Sequence, residues 1–407
     1  MDMDPNAPTT LDGLPLARRC PLDPPEELTR EREQRALTPM TYPDGHQGWL
    51  ATGNAAARAV LADPRFSVRA DLQHSPIPME VPKEVRTKPQ PGMFTRLDDP
   101  EHARYRRQLT GAFTVRRIRT MEPMIERIAE ELLDAMERDH TGEDAVDLVA
   151  EYALPLPSLV ICELLGVPHG ERGGFNEDSR RLLSLDTPIE ERMKSFGAVA
   201  ALLARLVSEK RAEPGDDLLS DLITAGDLTD EELVNIGTVL LIAGHETTAN
   251  QIGLGVYALL QNPEQLHRFQ GDESLANSAV EEMLRYLSII HIGPVRTATE
   301  DVEVAGQLVR AGQSVTISVP VANRDPERFE DPERLDIGRS ATGHLAFGHG
   351  VHQCLGQQLA RSELRIAFTS LFRRFPGLRL AVPTDAVPMR SDMAIYGVHA
   401  LPVSWDR

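Results

Sequence analysis

Hydrophobic residues recur three and four positions apart over long stretches of the chain, a spacing typical of amphipathic helices. The segment MIERIAEELLDAM at 124–136 shows it clearly, with charged residues between the apolar positions. Short alternating runs bounded by glycine and proline instead predict strands. The other elements that the pattern predicts are helices at 275–287 and 356–372 and strands at 301–308 and 314–319. The pattern therefore predicts a mainly α-helical protein with a minor β region.

The longest predicted helix has clear boundaries. Thr229 and Glu232 have the spacing of a capping box, and no proline interrupts 233–260. Asn262 and Pro263 then end the helix. About 32 residues make a rod of roughly 48 Å. Because it is apolar on nearly every face, we expect it to run through the centre of the protein.

Two segments lack periodicity. Residues 1–30 are rich in proline and aspartate and predict an irregular N-terminal arm on the surface. The remainder, 31–407, is expected to form one domain. Within it, 322–350 is dense in proline, aspartate, arginine and glycine, which predicts a long ordered loop.

Composition narrows the function. The 43 basic and 62 acidic residues give a net charge of −19, which disfavours non-specific binding to nucleic acid or to an anionic membrane. The N-terminus is acidic, unlike an export signal, and no apolar stretch is long enough to span a bilayer. The three cysteines, Cys20, Cys162 and Cys354, lie far apart and imply no disulfide framework. The expected location is the cytoplasm.

Cys354 is the first candidate for chemistry. It lies between Gly350 and Gly356 immediately before a predicted helix, where backbone N–H groups and the helix dipole stabilise a thiolate. A buried, inert cysteine is the alternative. Zinc is a further alternative, but there is no C-x-x-C motif and the other cysteines are remote. A single thiolate points towards an iron held mainly by a porphyrin.

The second candidate lies in the middle of the long helix. Glu246 and Thr247 place an acid and an alcohol where core residues are expected, and a threonine hydroxyl there can bond the carbonyl four residues earlier and bend the helix. The small neighbours Ala243 and Gly244 are expected to leave room for a flat ligand. A polar patch on a helix face is the alternative. The segment is no zinc-protease motif, because Ala249 stands where the second histidine would be.

Glu282 and Arg285 are the third candidate. They can pair on one helix face, although such a pair alone is common on surfaces.

Together, the three candidate segments resemble the cytochrome P450 family of haem-thiolate monooxygenases. The family's cysteine loop, Phe-x-x-Gly-x-His-x-Cys-x-Gly, is matched by Phe347, Gly350, His352, Cys354 and Gly356. The family's pattern on the oxygen side of the haem is matched by Ala243, Gly244, Glu246, Thr247 and Thr248. Further similar positions are His102, Arg106, Arg296, 323–326 and 332–335, where Leu335 replaces the commoner Phe.

This resemblance implies a cytochrome P450 fold, with the long central helix over haem b (iron protoporphyrin IX). It implies that Cys354 is the axial iron ligand, that O2 is reduced with electrons from NAD(P)H, and that Glu246 and Thr247 relay protons. The residues implied to bind the haem or its propionates are His102, Arg106, Arg296, Phe347, Gly348, His352 and Gly356. Glu282, Arg285 and Arg334 are expected to form a buried ion cluster that holds the cysteine loop.

The sequences at 344–361 and at 401–405 (LPVSW) resemble those of the soluble actinomycete branch of the family. This branch oxidises polyketides, macrolides, steroids and drug-like molecules. We therefore expect hydroxylation or epoxidation of a hydrophobic small molecule. Pocket positions are expected in 79–94, 182–185, 239–243, 289–295 and 393–395, with Phe94, Leu182, Val239, Ile242, Ile290, Ile292, Val295 and Ile395 as the named candidates. No role is assigned to His245 or His349.

Seven arginines lie close together in this acidic chain: Arg104, Arg106, Arg107, Arg116, Arg117, Arg119 and Arg127. They predict a basic docking surface for an acidic ferredoxin, itself reduced by a ferredoxin reductase, although ordinary helix solvation would also explain them. The chain is expected to be a monomer.

Three other functions are open at this point. A peroxide-driven haem-thiolate enzyme would not need the pair Glu246 and Thr247, whose presence favours O2 and external electrons. A haem-binding sensor would need an output domain, and none is visible in the sequence. A helical scaffold without a cofactor is excluded only if haem is bound.

Overall fold

A computed structural model describes residues 10–78, 90–140, 144–171 and 174–406. Helices dominate it, as the pattern predicts. The α-helices are α1 (Glu26–Gln34), α2 (Asn54–Ala62), α3 (Glu101–Thr110), α4 (Val115–Asp139), α5 (Pro155–Leu165), α6 (Gly174–Leu183), α7 (Ile189–Ala212), α8 (Leu218–Ala225), α9 (Asp230–Gln261), α10 (Pro263–Gly271), α11 (Ala276–Leu287), α12 (Val319–Ala322) and α13 (Gln357–Arg374).

Helix α9 is the predicted central helix and has the expected length of 32 residues. Thr229 caps it: its hydroxyl accepts from the backbone N–H of Glu232, whose carboxylate accepts from the backbone N–H of Thr229. The helix is buried along most of its length and packs against α5, α7 and α13. In the described residues, no helix is both long and apolar enough to cross a membrane.

Short strands form the minor β region. The strands are β1 (Leu11–Asp12), β2 (Leu37–Thr41), β3 (Gln47–Ala51), β4 (Phe66–Ser67), β5 (Val146–Asp147), β6 (Val295–Ala298), β7 (Val302–Val304), β8 (Gln307–Val309), β9 (Ser314–Ile317), β10 (Arg379–Leu380) and β11 (Pro402–Ser404). The largest sheet has the order β1-β2-β3-β9-β6-β4, in which β3 pairs with β9 in parallel and Trp49 lies opposite Val315. This sheet positions Arg296 of β6 for the site described below.

Two predictions about secondary structure differ from what the structure shows. The single strand expected at 301–308 is a hairpin of β7 and β8, because Ala305 and Gly306 adopt φ of 48° and 74° and form a two-residue turn. The arm at 1–30 is not irregular throughout its described part. Strand β1 pairs with β2, and α1 begins at Glu26. Backbone pairing and the burial of Leu28 order a segment that has no periodicity of its own.

Candidate functional site

Cys354 lies on a loop that its own backbone shapes. The Cys354 N–H donates to the carbonyl of Phe347 at 2.8 Å, and Gly348 and Gly350 both have left-handed φ, of 69° and 76°. A Cβ atom on Gly350 would lie 2.4 Å from the carbonyl oxygen of Leu61, so only glycine fits there. The loop leads directly into α13, whose N-cap is Gly356.

The Cys354 side chain is exposed, yet nearby protein atoms desolvate it and raise its pKa. The backbone N–H of Gly356 and the charges of Arg106 and Arg361 act in the opposite direction. Because desolvation disfavours the charged form, a directly bound cation such as iron would stabilise the thiolate here. In the described ranges, no group of three His, Cys, Asp or Glu side chains is arranged to hold a metal ion, so the zinc alternative has no support there.

Four basic side chains from three elements gather near this loop. The rings of His102 on α3 and His352 on the cysteine loop lie 4.0 Å apart. Burial, followed by the charges of His102 and Arg296, lowers the pKa of His352 to about 3. Burial also lowers the pKa of Arg296 to about 10 and lowers that of Arg106.

These basic groups have few acidic partners among the described residues. His102 lies 3.1 Å from Asp99, whereas Arg296 donates to the carbonyl of Val295 at 3.0 Å and to no other described residue. Arg106 and Arg296 are desolvated cations, and the low pKa of His352 leaves its ring a neutral hydrogen-bonding group; such a set favours an anionic ligand. The two carboxylates of a haem would match this donor set, and Arg106 lies near enough to Cys354 for their charges to interact. The residues present therefore fit haem.

Ala243 and Gly244 have different surroundings on α9. Ala243 is exposed although Leu241 and His245 are fully buried, so this point of the central helix faces open space. Gly244 does not. A Cβ atom there would lie 2.8 Å from Cδ1 of Ile161 on α5. The expectation that Gly244 leaves room for a flat ligand is therefore wrong, because its missing side chain lets α5 approach α9.

Glu246 and Thr247 do not bond each other. The Thr247 hydroxyl donates to the Ala243 carbonyl at 2.9 Å. Glu246 is buried, and its Oε2 accepts from Nη2 of Arg390 at 3.0 Å and from Nδ2 of Asn250 at 3.2 Å. Sequence reasoning missed Arg390, because nothing near it in the chain marks it as the partner of a residue 144 positions away.

The two histidines without an assigned role have different surroundings. His245 is fully buried, its Nδ1 lies 2.7 Å from the Leu241 carbonyl, and its ring meets Phe175 edge-on. Burial lowers the pKa of His245, which favours the neutral ring. His349 is half-buried, and burial and the charge of Arg58 lower its pKa. Neither histidine belongs to the basic group near Cys354.

Glu282 and Arg285 on α11 form a bidentate ion pair of 2.7 and 2.8 Å, and both side chains are 0% exposed. Arg285 also donates to the carbonyls of Asn323 and Pro332, both at 2.9 Å. The loop at 322–350 is thus tied to α11. It contains no helix or strand between Ala322 and Gly350, as predicted, and the hydrogen bonds from Arg285 hold it in place.

Arg334 is not the third member of this ion cluster. Its side chain is 66% exposed and pairs with Asp336, so it contributes only its backbone carbonyl to Arg285. The third charge is Arg339, which is 12% exposed and donates to Oε1 of Glu282 at 3.1 Å. The sequence contains both arginines close together and does not indicate which side chain turns inward.

The predicted substrate positions separate into two groups. A cavity of about 310 Å³ is lined by four of them: Leu182, Ile290, Ile292 and Ile395. The other four, Phe94, Val239, Ile242 and Val295, do not line this cavity. Phe94 is buried in the main hydrophobic core, against which Val239 also packs. The candidates at 79–89 lie outside the described residues.

The seven predicted docking arginines also differ in their surroundings. Arg104 pairs with Glu232, Arg127 pairs with Glu131, and Arg106 is half-buried towards Cys354. The others are exposed, and no carboxylate pairs with them in the described part of the chain: Arg107, Arg116, Arg117 and Arg119. Val351 of the cysteine loop is 54% exposed.

Comparison with known proteins agrees with this geometry. The family model for Cytochrome P450 matches residues 175–394. Cytochrome P450 105C1 of a Streptomyces species is 49% identical over 94% of this chain and 95% of its own length. Vitamin D3 dihydroxylase of Streptomyces griseolus is 42% identical over 98% of each chain. The crystal structure of CYP105P1 in complex with filipin I has a TM-score of 0.90 and 43% identity over 97% of this chain and 99% of that one.

Proposed function

Since the chain belongs to the cytochrome P450 family, we propose that it inserts one oxygen atom from O2 into a hydrophobic small molecule, by hydroxylation or epoxidation. The family consists of haem-thiolate monooxygenases, which use haem, O2 and electrons from NAD(P)H delivered through partner proteins. This chain is a monooxygenase of the CYP105 type. Its substrate class, its particular redox partners and its site residues are the subject of the proposal.

The observation that carries the proposal is the association of Cys354 with four desolvated basic side chains. We assign Cys354 as the iron ligand and His102, Arg106, Arg296 and His352 as the groups that bind the propionates. When bound, the haem supplies the reductive activation of O2 and the transfer of one oxygen atom. The protein holds the group and orients it. Phe347, Gly348 and Gly356 are proposed as the loop residues that lie against the haem, since the loop that carries Cys354 runs from the first of them to the last.

Proton delivery is assigned to α9. The Thr247 hydroxyl donates to the Ala243 carbonyl, so its oxygen lone pairs stay free to accept a hydrogen bond from the exposed side. Glu246 carries the only carboxylate adjacent to it in sequence, but its Oε2 is held by Arg390. A relay through Glu246 therefore uses its Oε1, or requires Oε2 to exchange Arg390 for water or Thr247.

The substrate is proposed to be apolar over most of its surface, such as a polyketide, macrolide, steroid or drug-like compound. The apolar lining of the 310 Å³ cavity supports this class. So do the relatives, whose names include vitamin D3 dihydroxylase and pentalenic acid synthase, and CYP105P1, whose structure holds filipin I.

An acidic ferredoxin, reduced by a ferredoxin reductase, is the proposed electron donor, in the cytoplasm and with the enzyme as a monomer. The exposed arginines without acidic partners support a basic docking surface: Arg107, Arg116, Arg117 and Arg119. Opposite charges on the two partners speed their encounter and make it sensitive to salt.

Purified protein tests the proposal directly. We expect one haem per chain, a reduced carbon-monoxide spectrum typical of thiolate ligation, and one ¹⁸O atom from ¹⁸O2 in the product formed with NAD(P)H, reductase and ferredoxin. Cys354→Ala should lose the thiolate spectrum, whereas Cys20→Ala, at an exposed cysteine, should keep it. An unchanged spectrum in Cys354→Ala overturns the assignment. Product formed with hydrogen peroxide alone, and not with the reductase system, would favour the peroxygenase alternative.

A further inference from the structure

Among the described residues, the lining of the cavity of about 310 Å³ includes one charged side chain, Arg192, in an otherwise mostly apolar wall. This volume is at the lower end of that of small-molecule pockets, about 300–1,000 Å³. The other residues that line the cavity are Leu182, Leu183, Ser184, Leu185, Ile290, Ile292, Gly293, Ala394 and Ile395. A single cation makes its part of the wall chemically different from the rest.

Arg192 lies at the start of α7, after the turn that connects α6 with α7. Its Nη2 donates to the carbonyls of Ser184 at 3.2 Å and Thr187 at 3.1 Å. Its Nε is buried and has no hydrogen-bond partner among the residues that the structure describes. The two carbonyls fix the position of the guanidinium but do not neutralise its charge.

No carboxylate pairs with Arg192 in the part of the chain that the structure describes. The nearby arginines of α6 are different, since Arg180 and Arg181 both pair with Glu177, at 2.9 and 3.1 Å. The acidic partners in this region therefore serve the exposed arginines, and the arginine in the cavity wall keeps an uncompensated charge. Such a charge beside apolar surface is costly unless an anion neutralises it.

We propose that Arg192 binds the carboxylate of an otherwise hydrophobic substrate, so that the substrates of this enzyme are apolar carboxylic acids. The guanidinium is planar and suits a carboxylate, whose bond to it is charge-assisted. The aliphatic wall formed by Ile290, Ile292 and Ile395 then covers the hydrocarbon part. This inference rests on the proposed function, because it takes the cavity to be the substrate site.

Calorimetric titration of the haem-loaded protein with decanoate and with decan-1-ol tests the inference, since the two ligands share an alkyl chain and differ in charge. We expect decanoate to bind about tenfold more tightly, which is about 1.4 kcal/mol. Arg192→Gln should remove the preference by weakening decanoate alone, and Arg192→Lys should retain part of it. Arg181→Gln, at an exposed arginine outside the cavity, should leave both affinities unchanged.

Equal affinity of the wild-type protein for the two ligands overturns the inference, and so does an undiminished preference in Arg192→Gln. If Arg192→Gln fails to fold, Arg192→Lys and the salt dependence of decanoate binding decide: a preference that is insensitive to both overturns it. Binding requires no turnover. A preference for decanoate without product formation would count against the proposed function alone, and turnover without the preference would count against this inference alone.

Discussion

Arg390 donates a hydrogen bond of 3.0 Å to the carboxylate of Glu246, and both side chains are buried. The pair joins the middle of α9 to the segment between β10 and β11. Within that segment, the backbone N–H of Arg390 donates a hydrogen bond to the carbonyl of Gly397. An acid proposed to move protons is thus held by a cation from a distant part of the chain. The strength of that hold controls how readily the carboxylate can leave it.

Arg390→Ala is expected to destabilise the protein by about 3–5 kcal/mol, because it leaves the buried carboxylate of Glu246 without a counter-charge. Urea unfolding of the haem-loaded protein measures this loss. The double variant Glu246→Gln/Arg390→Ala should recover part of it, since no buried charge remains. If the double variant is as unstable as the sum of the single variants, the two residues are not coupled.

Thr247→Ala is expected to uncouple electron consumption from product formation, because it removes the hydroxyl that faces the exposed side of α9. The ratio of product formed to NAD(P)H consumed should fall about tenfold or more. Thr238→Ala is the matched control. Its hydroxyl makes the same kind of bond, to the Val234 carbonyl at 2.8 Å, but is fully buried. An unchanged ratio in Thr247→Ala, or an equal fall in both variants, contradicts the role.

The third charge of the buried ion cluster gives a matched comparison of neighbouring arginines. Arg339→Ala should cost about 1.5–3 kcal/mol, since it removes a charge-assisted bond to Glu282. Arg334→Ala should cost no more than about 0.5 kcal/mol, because that side chain is exposed. Arg285→Ala should yield protein without haem. Denaturation curves and haem content are measured for all three variants. Equal losses of stability in Arg339→Ala and Arg334→Ala would contradict the assignment of Arg339 as the third charge.

Glu363 on α13 makes stability depend on pH. It is 1% exposed, its Oε2 has no hydrogen-bond partner among the described residues, and burial raises its pKa well above 4.5. A carboxyl group whose pKa is raised in the folded state contributes stability to the fold at pH values below its unfolded-state pKa. That contribution is lost as the pH rises through the folded-state pKa.

Glu363→Gln should therefore gain stability over the wild type as the pH rises above 4.5, by at most about 1.4 kcal/mol per pH unit. Unfolding by urea at several pH values measures the gain. Glu131→Gln, at a 68% exposed carboxylate, should show no such trend. A constant difference between Glu363→Gln and the wild type across pH would contradict this prediction, because it would show that folding does not shift the pKa of Glu363.

Arg116→Gln/Arg119→Gln is expected to slow reduction by an acidic ferredoxin about tenfold at low salt, and to make the rate less dependent on salt. Stopped-flow reduction at several ionic strengths measures both effects. Arg127→Gln is the control, since that arginine is already paired with Glu131. Wild-type reduction that is indifferent to ionic strength would contradict the docking surface.

Elements whose signals are local could be predicted from the sequence. The capping box of Thr229 and Glu232 and the end of α9 just before Pro263 depend on neighbours within a few residues, and each holds in the structure. The pairing of Glu282 with Arg285 is likewise an interaction of adjacent helical turns. The loop around Cys354 is likewise identified from the sequence, because its pattern of residue types matches the cysteine loop of the family.

Tertiary structure alone decided which distant groups meet. The sequence could not indicate that Arg390 neutralises Glu246, that Arg339 rather than Arg334 turns towards Glu282, or that Gly244 meets Ile161. The periodicity of the sequence predicts which face of a helix or strand a side chain occupies, but not which other element packs against that face. Partners far apart in sequence are selected by burial, because an enclosed charge must be satisfied by whatever cation the fold brings within reach.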